Sequence, residues 1–378
     1  MSKPYGVLLL SGYNVRALVA FCRFARQNHL PFHLWAKSSE DLIFRTEYRQ
    51  NVWAIRESVD LRIDALLGVL ADLRRSLNYE GLFIVPSTEY FNRFLLKHRK
   101  ELECAGHIVP LVGVACYEAI SDKYKFRTLC KKHGLLVPRE FNAMPEGPPF
   151  VAKPRKYFSG DGAPLKPVIF QTHADMDRRM ADIANPADYY FQEYVTGESH
   201  YLLAHISKAG KATTYAQKNL MQQQGGGSII LARESDIHET RTAEQYIEML
   251  ISIGFHGLIM IEFKKNGDQM FMIEANPRLW GPLQFTLDAG IQILPSYMRD
   301  YGFDTMTHSS PVRTPIYYYW SGGLSATGAP YMYHDYCADQ FIADYPCFRT
   351  SDLFLREDTL ELFRYEHNET IGGATNSK

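Results

Sequence analysis

The sequence lacks the patterns that mark several large classes of protein. Lysine and arginine (41 together) do not outnumber aspartate and glutamate (42), so no excess positive charge is available to neutralise nucleic-acid phosphates. No uninterrupted apolar run approaches the roughly 20 residues of a membrane-spanning helix. No GxGxxG motif follows the first predicted strand, so the dinucleotide-binding fingerprint is absent. We therefore expect neither nucleic acid nor a membrane as a partner.

Cysteine and histidine also form no recognisable metal or redox pattern. The six cysteines are scattered, none forms CxxC, and the thirteen histidines form no HExxH motif. We therefore expect no transition-metal site, and reduced thiols in a cytoplasmic protein. The opening stretch MSKPYGVLLLSGYN has a short apolar run with no small-residue cleavage site behind it, which favours a first strand over a signal peptide.

Short apolar runs alternate with helical patterns in the first part of the chain. The periodicity predicts strands and helices at 7–10, 15–27, 32–36, 61–77 and 81–87. Strands that alternate with helices indicate a parallel α/β sheet. The 378 residues are enough for two or three structural units, each around its own core.

The middle of the chain has a different character. A helix is predicted over 121–134, with Ser121 as its N-cap and Gly134 as its stop. The stretch 201–217 predicts a hairpin, and 257–276 predicts two strands around an Asn-Gly turn. These patterns indicate an α+β unit with antiparallel strands.

The predicted hairpin at 257–276 carries the most informative polar residues. An odd-length turn would bring the apolar residues of both strands onto one face. The other face then carries Glu262, Glu274 and Asn276, with Glu274 opposite Met260 and Glu262 diagonally across. Two carboxylates and an amide oxygen suit Mg²⁺, which usually takes one or two carboxylates plus substrate phosphates. A solvent-facing sheet with scattered charges is the alternative, but it would leave the Asn-Pro-Arg ending unexplained.

Four motifs, in this order and spacing, resemble the ATP-grasp superfamily over roughly residues 80–290. They are SDKYKFRTLCKKHGLLVP, PFVAKP, FQEYVTGES and GFHGLIMIEF…MIEANPRLWGPLQ. The ending Asn-Pro-Arg-x-Trp-Gly is similar to that of the carboxylate–amine ligase branch. The resemblance implies an N-terminal α/β parallel-sheet domain followed by an α+β ATP-grasp fold, whose two subdomains with antiparallel sheets clasp ATP.

This resemblance also implies domain boundaries. The N-terminal domain would span 1–117, the small subdomain or lid 118–195, and the subdomain with the metal site 196–367. The polar segment 368–378 would be a flexible tail.

The resemblance further implies which residues meet ATP. Lys123 and Lys153 would contact the phosphates, and Lys153 is the stronger case because a lysine within an apolar strand needs an anion. The backbone of Glu193, Tyr194 and Val195 would meet adenine.

Two departures from the family pattern affect the rest of the ATP site. Glu198 would hold the ribose hydroxyls, although the family often has that carboxylate where Ser199 stands. The loop that covers the phosphates would use Gly160 and Gly162, with Asp161 between them, in place of a run of glycines.

The chemical roles that the resemblance implies centre on the hairpin. Glu262 and Glu274, assisted by Asn276, would bind Mg²⁺ or Mn²⁺ against the β- and γ-phosphates. Arg278 would neutralise the phosphoryl group in transfer. Lys218 would lie near the substrate carboxylate, although a plain charged strand residue is an equal interpretation.

The implied activity is an ATP-dependent ligase. A carboxylate would attack ATP to give an acyl phosphate and ADP, and an amine would then displace phosphate to form an amide or peptide bond. Glu89 is a candidate contact for the amine, or else an ordinary acidic residue in the first turn of a helix. The sequence leaves open a thiol acceptor, a small-molecule kinase, a nucleotide-binding module without catalysis, and a homodimeric assembly. Retention of Arg278 argues against the binding module.

Overall fold

The computed structural model describes residues 4–56, 60–155, 165–306, 315–325 and 331–373. Within these ranges the chain forms three β-sheets. The first is parallel and N-terminal, the second is a small antiparallel sheet, and the third is the large sheet that carries the hairpin at 257–276.

The N-terminal sheet has four parallel strands in the order β3-β2-β1-β4. Its strands are nearly continuous apolar runs, as expected of parallel strands covered on both faces. The elements of this region are β1 (Gly6–Leu10), α1 (Val15–Gln27), β2 (Phe32–Ala36), β3 (Val52–Ile55), α2 (Ile63–Ser76), β4 (Leu82–Pro86), α3 (Glu89–Lys97), α4 (Arg99–Cys104), α5 (Val114–Ser121) and α6 (Lys123–Lys132). The predicted strands and helices of this region are confirmed, and β3 is an addition.

A small antiparallel sheet follows, in the order β5-β8-β6-β7. It has its own apolar cluster, in which the rings of Phe150 and Phe170 stack at 4.6 Å. The elements are β5 (Glu140–Phe141), β6 (Phe150–Pro154), β7 (Val168–Phe170), α7 (His173–Arg179) and β8 (Tyr189–Glu193). This small sheet is joined to the large sheet by the short connection after Glu193.

The large sheet has the order β13-β12-β9-β10-β11-β14, and β15 pairs with β10. Its antiparallel arrangement agrees with the prediction for this part of the chain. The elements are β9 (Glu198–Ile206), β10 (Ala212–Gln223), β11 (Ile229–Glu234), α8 (Arg241–Ser252), β12 (Gly257–Asn266), β13 (Gln269–Asn276), α9 (Leu283–Asp288), α10 (Ile293–Arg299), β14 (Tyr317–Tyr319), α11 (Gly322–Ser325), β15 (Tyr331–Tyr333), α12 (Ala338–Phe348) and α13 (Leu360–Gly373).

The register of the hairpin β12–β13 differs from the prediction. Asn266 pairs with Gln269 around a two-residue turn, and a β-bulge then shifts the register between Glu262 and Phe263. Beyond the bulge Glu262 lies directly opposite Glu274, not diagonally, and Met260 lies opposite Asn276. The bulge, not an odd-length turn, therefore brings the two carboxylates onto one face.

The start of α6 also differs from the prediction. The N-cap is Asp122, whose carboxylate accepts hydrogen bonds from the N–H groups of Tyr124 and Lys125, both at 2.9 Å. Ser121 is instead the last residue of α5. Asp122 satisfies two of the unpaired amide groups at this helix start and thereby fixes the first helical residue, Lys123.

The predicted tail begins within the last helix of the described chain. Helix α13 continues to Gly373, so residues 368–373, which we predicted to belong to a flexible tail, have helical backbone. The remaining residues of that predicted tail lie outside the described part of the chain.

Candidate active site

Glu274 on β13 is the centre of a connected polar cluster. Its Oε2 lies 2.8 Å from Lys123 Nζ, and its Oε1 accepts a hydrogen bond of 2.8 Å from Asn276 Nδ2. Asn276 Oδ1 in turn accepts from Arg278 Nη2 at 3.0 Å. The structure thus brings together four of the residues that the sequence predicts to act as one site.

Glu262 and Glu274 form a pair of facing carboxylates with different proton affinities. Burial, reinforced by the charge of Glu274, raises the pKa of Glu262 to about 7. Lys123, above all, lowers the pKa of Glu274 to about 2. Two carboxylates at one position in the sheet repel each other, and a bound cation would remove that repulsion.

Lys153 reaches the same cluster from the small sheet. Its side chain is only 5% exposed, and its Nζ donates a 2.7 Å hydrogen bond to the carbonyl oxygen of Ile273, the extra residue of the bulge. Burial and the nearby charge of Lys123 lower its pKa to about 8. Among the described residues the only hydrogen bond of this buried ammonium group goes to a carbonyl oxygen, so the group is well placed to exchange that contact for an anion.

The opposed carboxylates fit a divalent cation of the Mg²⁺ class. Oxygen ligands from one or two carboxylates, completed by phosphate, are the usual donor set for this ion. Asn276 presents its Nδ2 to Glu274 and its Oδ1 to Arg278, so its amide would have to rotate before the oxygen could join that set. Within the described ranges no cluster of three or more His, Cys, Asp or Glu side chains could hold a metal.

Strand alternation places Glu198 and Ser199 on opposite faces of the large sheet. Tyr201 pairs with Glu262 across β9 and β12, and residues two apart on a strand share a face, so Ser199 faces the same side as Glu262. Glu198 faces the other side, where it contacts His200 at 3.0 Å. Of the two candidates for the ribose hydroxyls, Ser199 therefore shares the face of Glu262 and Glu198 does not, and which of them meets the ribose stays a prediction.

The same alternation separates Lys218 from the carboxylate pair. Lys218 pairs with His200 on β9, and its Nζ contacts Glu198 Oε1 at 2.6 Å and Asp335 Oδ2 at 3.0 Å. The sheet therefore stands between Lys218 and the face that carries Glu262. In the structure Lys218 belongs to an ion-pair cluster with Glu198 and Asp335, and its place beside the substrate carboxylate stays a prediction.

The residues predicted to meet adenine lie where the small and large sheets join. Glu193 ends β8, and both its N–H and its carboxylate contact the backbone of Arg139 at 2.9 Å. Tyr194 and Val195 continue from there toward β9. Their role toward adenine stays a prediction. Gly160 and Gly162 lie outside the described residues.

A large cavity of about 990 Å³ opens beside the polar cluster. On one side it is lined by Glu274, Asn276 and Arg278. On another it is lined by the loops that follow β1 and β4, including Glu89, which pairs with Arg93 at 2.8 Å. Ligands in α/β proteins commonly bind at the carboxyl ends of parallel strands, so the N-terminal sheet and the hairpin share one candidate substrate site.

Sequence reasoning missed the far wall of this cavity. Arg16, Trp320 and Glu366 line it, from α1, from the end of β14 and from α13. The Arg16 guanidinium lies 4.2 Å from the Trp320 ring centroid, and Trp320 Nε1 donates to Glu366 at 3.1 Å. Only Arg16 had a usable signal, because it follows the turn at the end of the first parallel strand.

The structure also gives a physical role to two residues of the MIEANPRLWGP stretch. Trp280 is 1% exposed and packs in the core shared by the N-terminal and large sheets. A Cβ atom on Gly281 would come within 2.9 Å of Arg16 Nη2, so glycine leaves the space that the guanidinium occupies. The described residues contain no helix that is both long and apolar enough to cross a membrane.

Comparison of the sequence with protein-family models and with curated proteins finds no match. Comparison of the structure with solved structures does. N5-carboxyaminoimidazole synthetase from Staphylococcus aureus, complexed with ADP, superposes with a TM-score of 0.60 at 14% identity, covering 92% of this chain and 87% of that one. Biotin carboxylase from Campylobacter jejuni gives a TM-score of 0.55 at 14% identity, covering 79% and 72%.

A third similar structure is the biotin carboxylase domain of Hydrogenobacter thermophilus 2-oxoglutarate carboxylase. It gives a TM-score of 0.57 at 13% identity, covering 83% of this chain and 74% of that one, and it is described as a dimer in complex with MgADP, ADP and bicarbonate. At such low identities the likeness shows the fold alone. The chain therefore has the ATP-grasp fold that its sequence motifs predict.

Proposed function

We propose that the chain is an ATP-dependent ligase that activates a carboxylate as an acyl phosphate and joins it to an amine, with release of ADP and phosphate. One observation carries this proposal: Glu262, Glu274, Lys123, Lys153 and Arg278 converge beside a cavity large enough for a second substrate. Phosphoryl transfer depends chiefly on positioning and on neutralisation of charge, and this cluster offers both.

Each of these side chains would have a separate role in the reaction. Lys123 and Lys153 approach from two different elements and would hold the phosphates between the small and large sheets. Glu262 and Glu274 would hold Mg²⁺ or Mn²⁺, which supplies charge neutralisation at the transferred phosphoryl group. Asn276 fixes the guanidinium of Arg278 at 3.0 Å and thereby aims it at the same point.

The bend after Asn276 determines where Arg278 lies. Pro277 cannot donate a ladder hydrogen bond, so β13 ends before it. The carbonyl oxygen of Pro277 accepts a 3.2 Å hydrogen bond from Asn92 Nδ2, and this bond holds the bend against helix α3. Because the chain bends here, the side chain of Arg278 leaves the plane of the sheet and lines the cavity. Its position favours stabilisation of an acyl phosphate formed at the cavity edge.

Three other activities share parts of this site. A thiol acceptor would use the same acyl phosphate, a small-molecule kinase would release a stable phosphorylated product, and a binding module would hold nucleotide without turnover. The arginine fixed beside the carboxylate pair favours chemistry over binding alone. The large cavity favours an acceptor in addition to ATP.

The proposal is tested by ADP release from MgATP with mixtures of carboxylates and amines, followed by deconvolution of active mixtures. Hydroxylamine is included in parallel reactions to trap an acyl phosphate as a hydroxamate. We expect ADP release that requires a carboxylate, together with hydroxamate formation. Tight ATP binding without ADP release in any mixture would contradict the proposal and favour the binding module. A stable phosphorylated product without hydroxamate would favour the kinase.

A cytoplasmic location, predicted from the scattered cysteines, belongs to this proposal. All six cysteines are unpaired in the structure. The homodimer that the sequence leaves open stays a prediction, and sedimentation of the purified chain would test it.

A further inference from the structure

Two of the arginines that are buried in the described part of the chain are paired with carboxylates: Arg23 contacts Asp358 at 2.8 Å, and Arg127 contacts Glu140 at 2.6 Å. These pairs satisfy the general requirement that a charge removed from water be compensated. Each of these ion pairs also links two different segments of the chain. A third, Arg56, has no carboxylate within ion-pair distance among the described residues and donates to the carbonyl oxygen of Ser11 at 2.6 Å.

Arg16 is half-buried and, like Arg56, is held by neutral acceptors. Its guanidinium donates to Ser228 Oγ at 2.7 Å, to the carbonyl of Ile229 at 3.2 Å and to the hydroxyl of Tyr318 at 3.3 Å. All three acceptors are neutral, and among the described residues no carboxylate lies within ion-pair distance of Arg16. An arginine has five N–H donors, so these contacts leave capacity for a further acceptor.

The position of Arg16 is fixed from several sides at once. Trp320 stacks against the guanidinium, and the absence of a side chain at Gly281 makes room for it. Both Arg16 and Gly281 line the cavity of about 990 Å³. A cation held in place by neutral groups at the wall of a substrate-sized cavity has the features of an anion-binding position.

Two other charged groups bear on this position. Arg278 also lacks a carboxylate partner within the described residues, but the proposed phosphoryl transfer accounts for it. Glu366 lies in the same wall as Arg16, and burial, opposed in part by its hydrogen bond from Trp320, raises its pKa to about 7. A carboxyl group that is partly protonated at neutral pH offsets the charge of Arg16 only in part.

We propose that the substrate in this cavity carries a second acidic group, a carboxylate or a phosphate, which Arg16 binds while the reacting end of the substrate lies near Arg278. The proposal rests on the proposed function only in taking the cavity as a substrate site. The competing interpretation makes Arg16 a structural clamp that ties the loop before β11 to α1.

The test uses isothermal titration calorimetry with the full chain, Mg²⁺ and a non-hydrolysable ATP analogue. The probes are matched pairs that differ in one acidic group: glutamate and glutamine, aspartate and asparagine, and O-phosphoserine and serine. The first two pairs test a carboxylate and the third a phosphate. We expect at least one acidic probe to bind the wild-type chain about tenfold or more tightly than its neutral counterpart, the scale of one charge-assisted hydrogen bond.

Variants at Arg16 separate recognition from packing. In Arg16→Gln the ratio of the affinity for the acidic probe to that for its neutral counterpart should fall close to one. Arg16→Lys should retain part of the wild-type ratio. Arg26→Gln is the matched control, since Arg26 lies on the same helix but pairs with Glu47 at the surface, and it should keep the full preference. Circular dichroism and thermal melting report whether each variant is folded.

Two results would overturn the inference. One is a wild-type chain that binds no acidic probe more tightly than its neutral counterpart. The other is an acidic preference that survives in a folded Arg16→Gln variant. ADP release from MgATP, measured in parallel on the same protein preparations without the analogue, keeps the two proposals apart. If the chain prefers an acidic probe but releases no ADP with any mixture, only the proposed ligase activity is contradicted. If it releases ADP but prefers no acidic probe, only the proposed second acidic group is contradicted.

Discussion

The two carboxylates of the hairpin have different electrostatic roles. Glu274 is held ionised by Lys123 and by the hydrogen bond from Asn276, so it keeps its charge throughout the neutral range. Among the described residues no cation lies within ion-pair distance of Glu262, and burial raises the pKa of this carboxyl group to about 7. The pair therefore has one fixed and one adjustable negative charge, which agrees with the proposed binding and release of a cation.

Glu274→Gln tests this arrangement at a single residue. The substitution preserves shape and the bond from Asn276 but removes the charge that Lys123 and the cation would share. We expect turnover to fall by about 10²-fold or more, the scale seen when one preorganised electrostatic group is lost, while the circular dichroism spectrum stays that of the wild type. Asp268→Asn, at the exposed turn of the same hairpin, is the control and should leave ADP release unchanged. Near-normal turnover in Glu274→Gln would refute the metal assignment.

Glu366 gives a prediction for the pH dependence of stability. Burial raises its pKa from 4.5 to about 7, so between these values the folded state binds a proton that the unfolded state releases. Stability contributed by this group therefore falls as the pH rises through that window. Glu366→Gln cannot titrate, so its melting temperature relative to the wild type should rise from about pH 5 to about pH 7 and level off above. Melting curves that differ by a constant amount at every pH would contradict this.

Single residues differ in how far the sequence predicts them. Glu262, Glu274, Asn276 and Arg278 could be grouped because strand alternation and a proline define their geometry locally. Arg16, Trp320 and Glu366 could not, because they meet only after α1, β14 and α13 have packed together. The ion-pair partners of Lys218 could not be predicted either, since its sheet face depends on its pairing with β9.

At the scale of single elements, the β12–β13 hairpin shows a limit of local pattern reasoning. The face on which the carboxylates lie was predicted, but the device that places them there was not. An odd-length turn and a bulge both shift a register by one residue, and the apolar pattern is compatible with either. The structure uses the bulge, and the carbonyl of Ile273, the extra residue of the bulge, receives Lys153.

The start of helix α6 gives a prediction at this same scale. Asp122→Ala removes the acceptor for two backbone N–H groups and should lower the free energy of unfolding by about 1 kcal/mol. Asp122→Asn retains a capping side chain, so its free energy of unfolding should fall by only a small part of that amount. Urea unfolding of the two variants and the wild type measures the difference. An Asp122→Ala variant as stable as the wild type would show that the cap contributes nothing, and would leave the position of Lys123 unexplained.

At the scale of the whole molecule, one apolar core extends across the predicted domain boundaries. This core contains residues of β1 and α1 together with residues of β9, α9, α10 and β14. Arg23 on α1 binds Asp358 just before α13, and the hydroxyl of Tyr48 donates to the same carboxylate at 2.6 Å. Motif order was enough to predict the three sheets. It could not predict that the C-terminal segment returns to the N-terminal sheet and closes the far wall of the cavity.

The central claim about the whole molecule is that a carboxylate is phosphorylated and then transferred to an amine. Once an active pair of substrates is known, a carboxylate labelled with oxygen-18 tests this directly. Attack on the γ-phosphate followed by displacement at the acyl carbon leaves one labelled oxygen in the released phosphate. We predict labelled phosphate in an amount equal to the ADP formed. ADP release with entirely unlabelled phosphate would contradict the account.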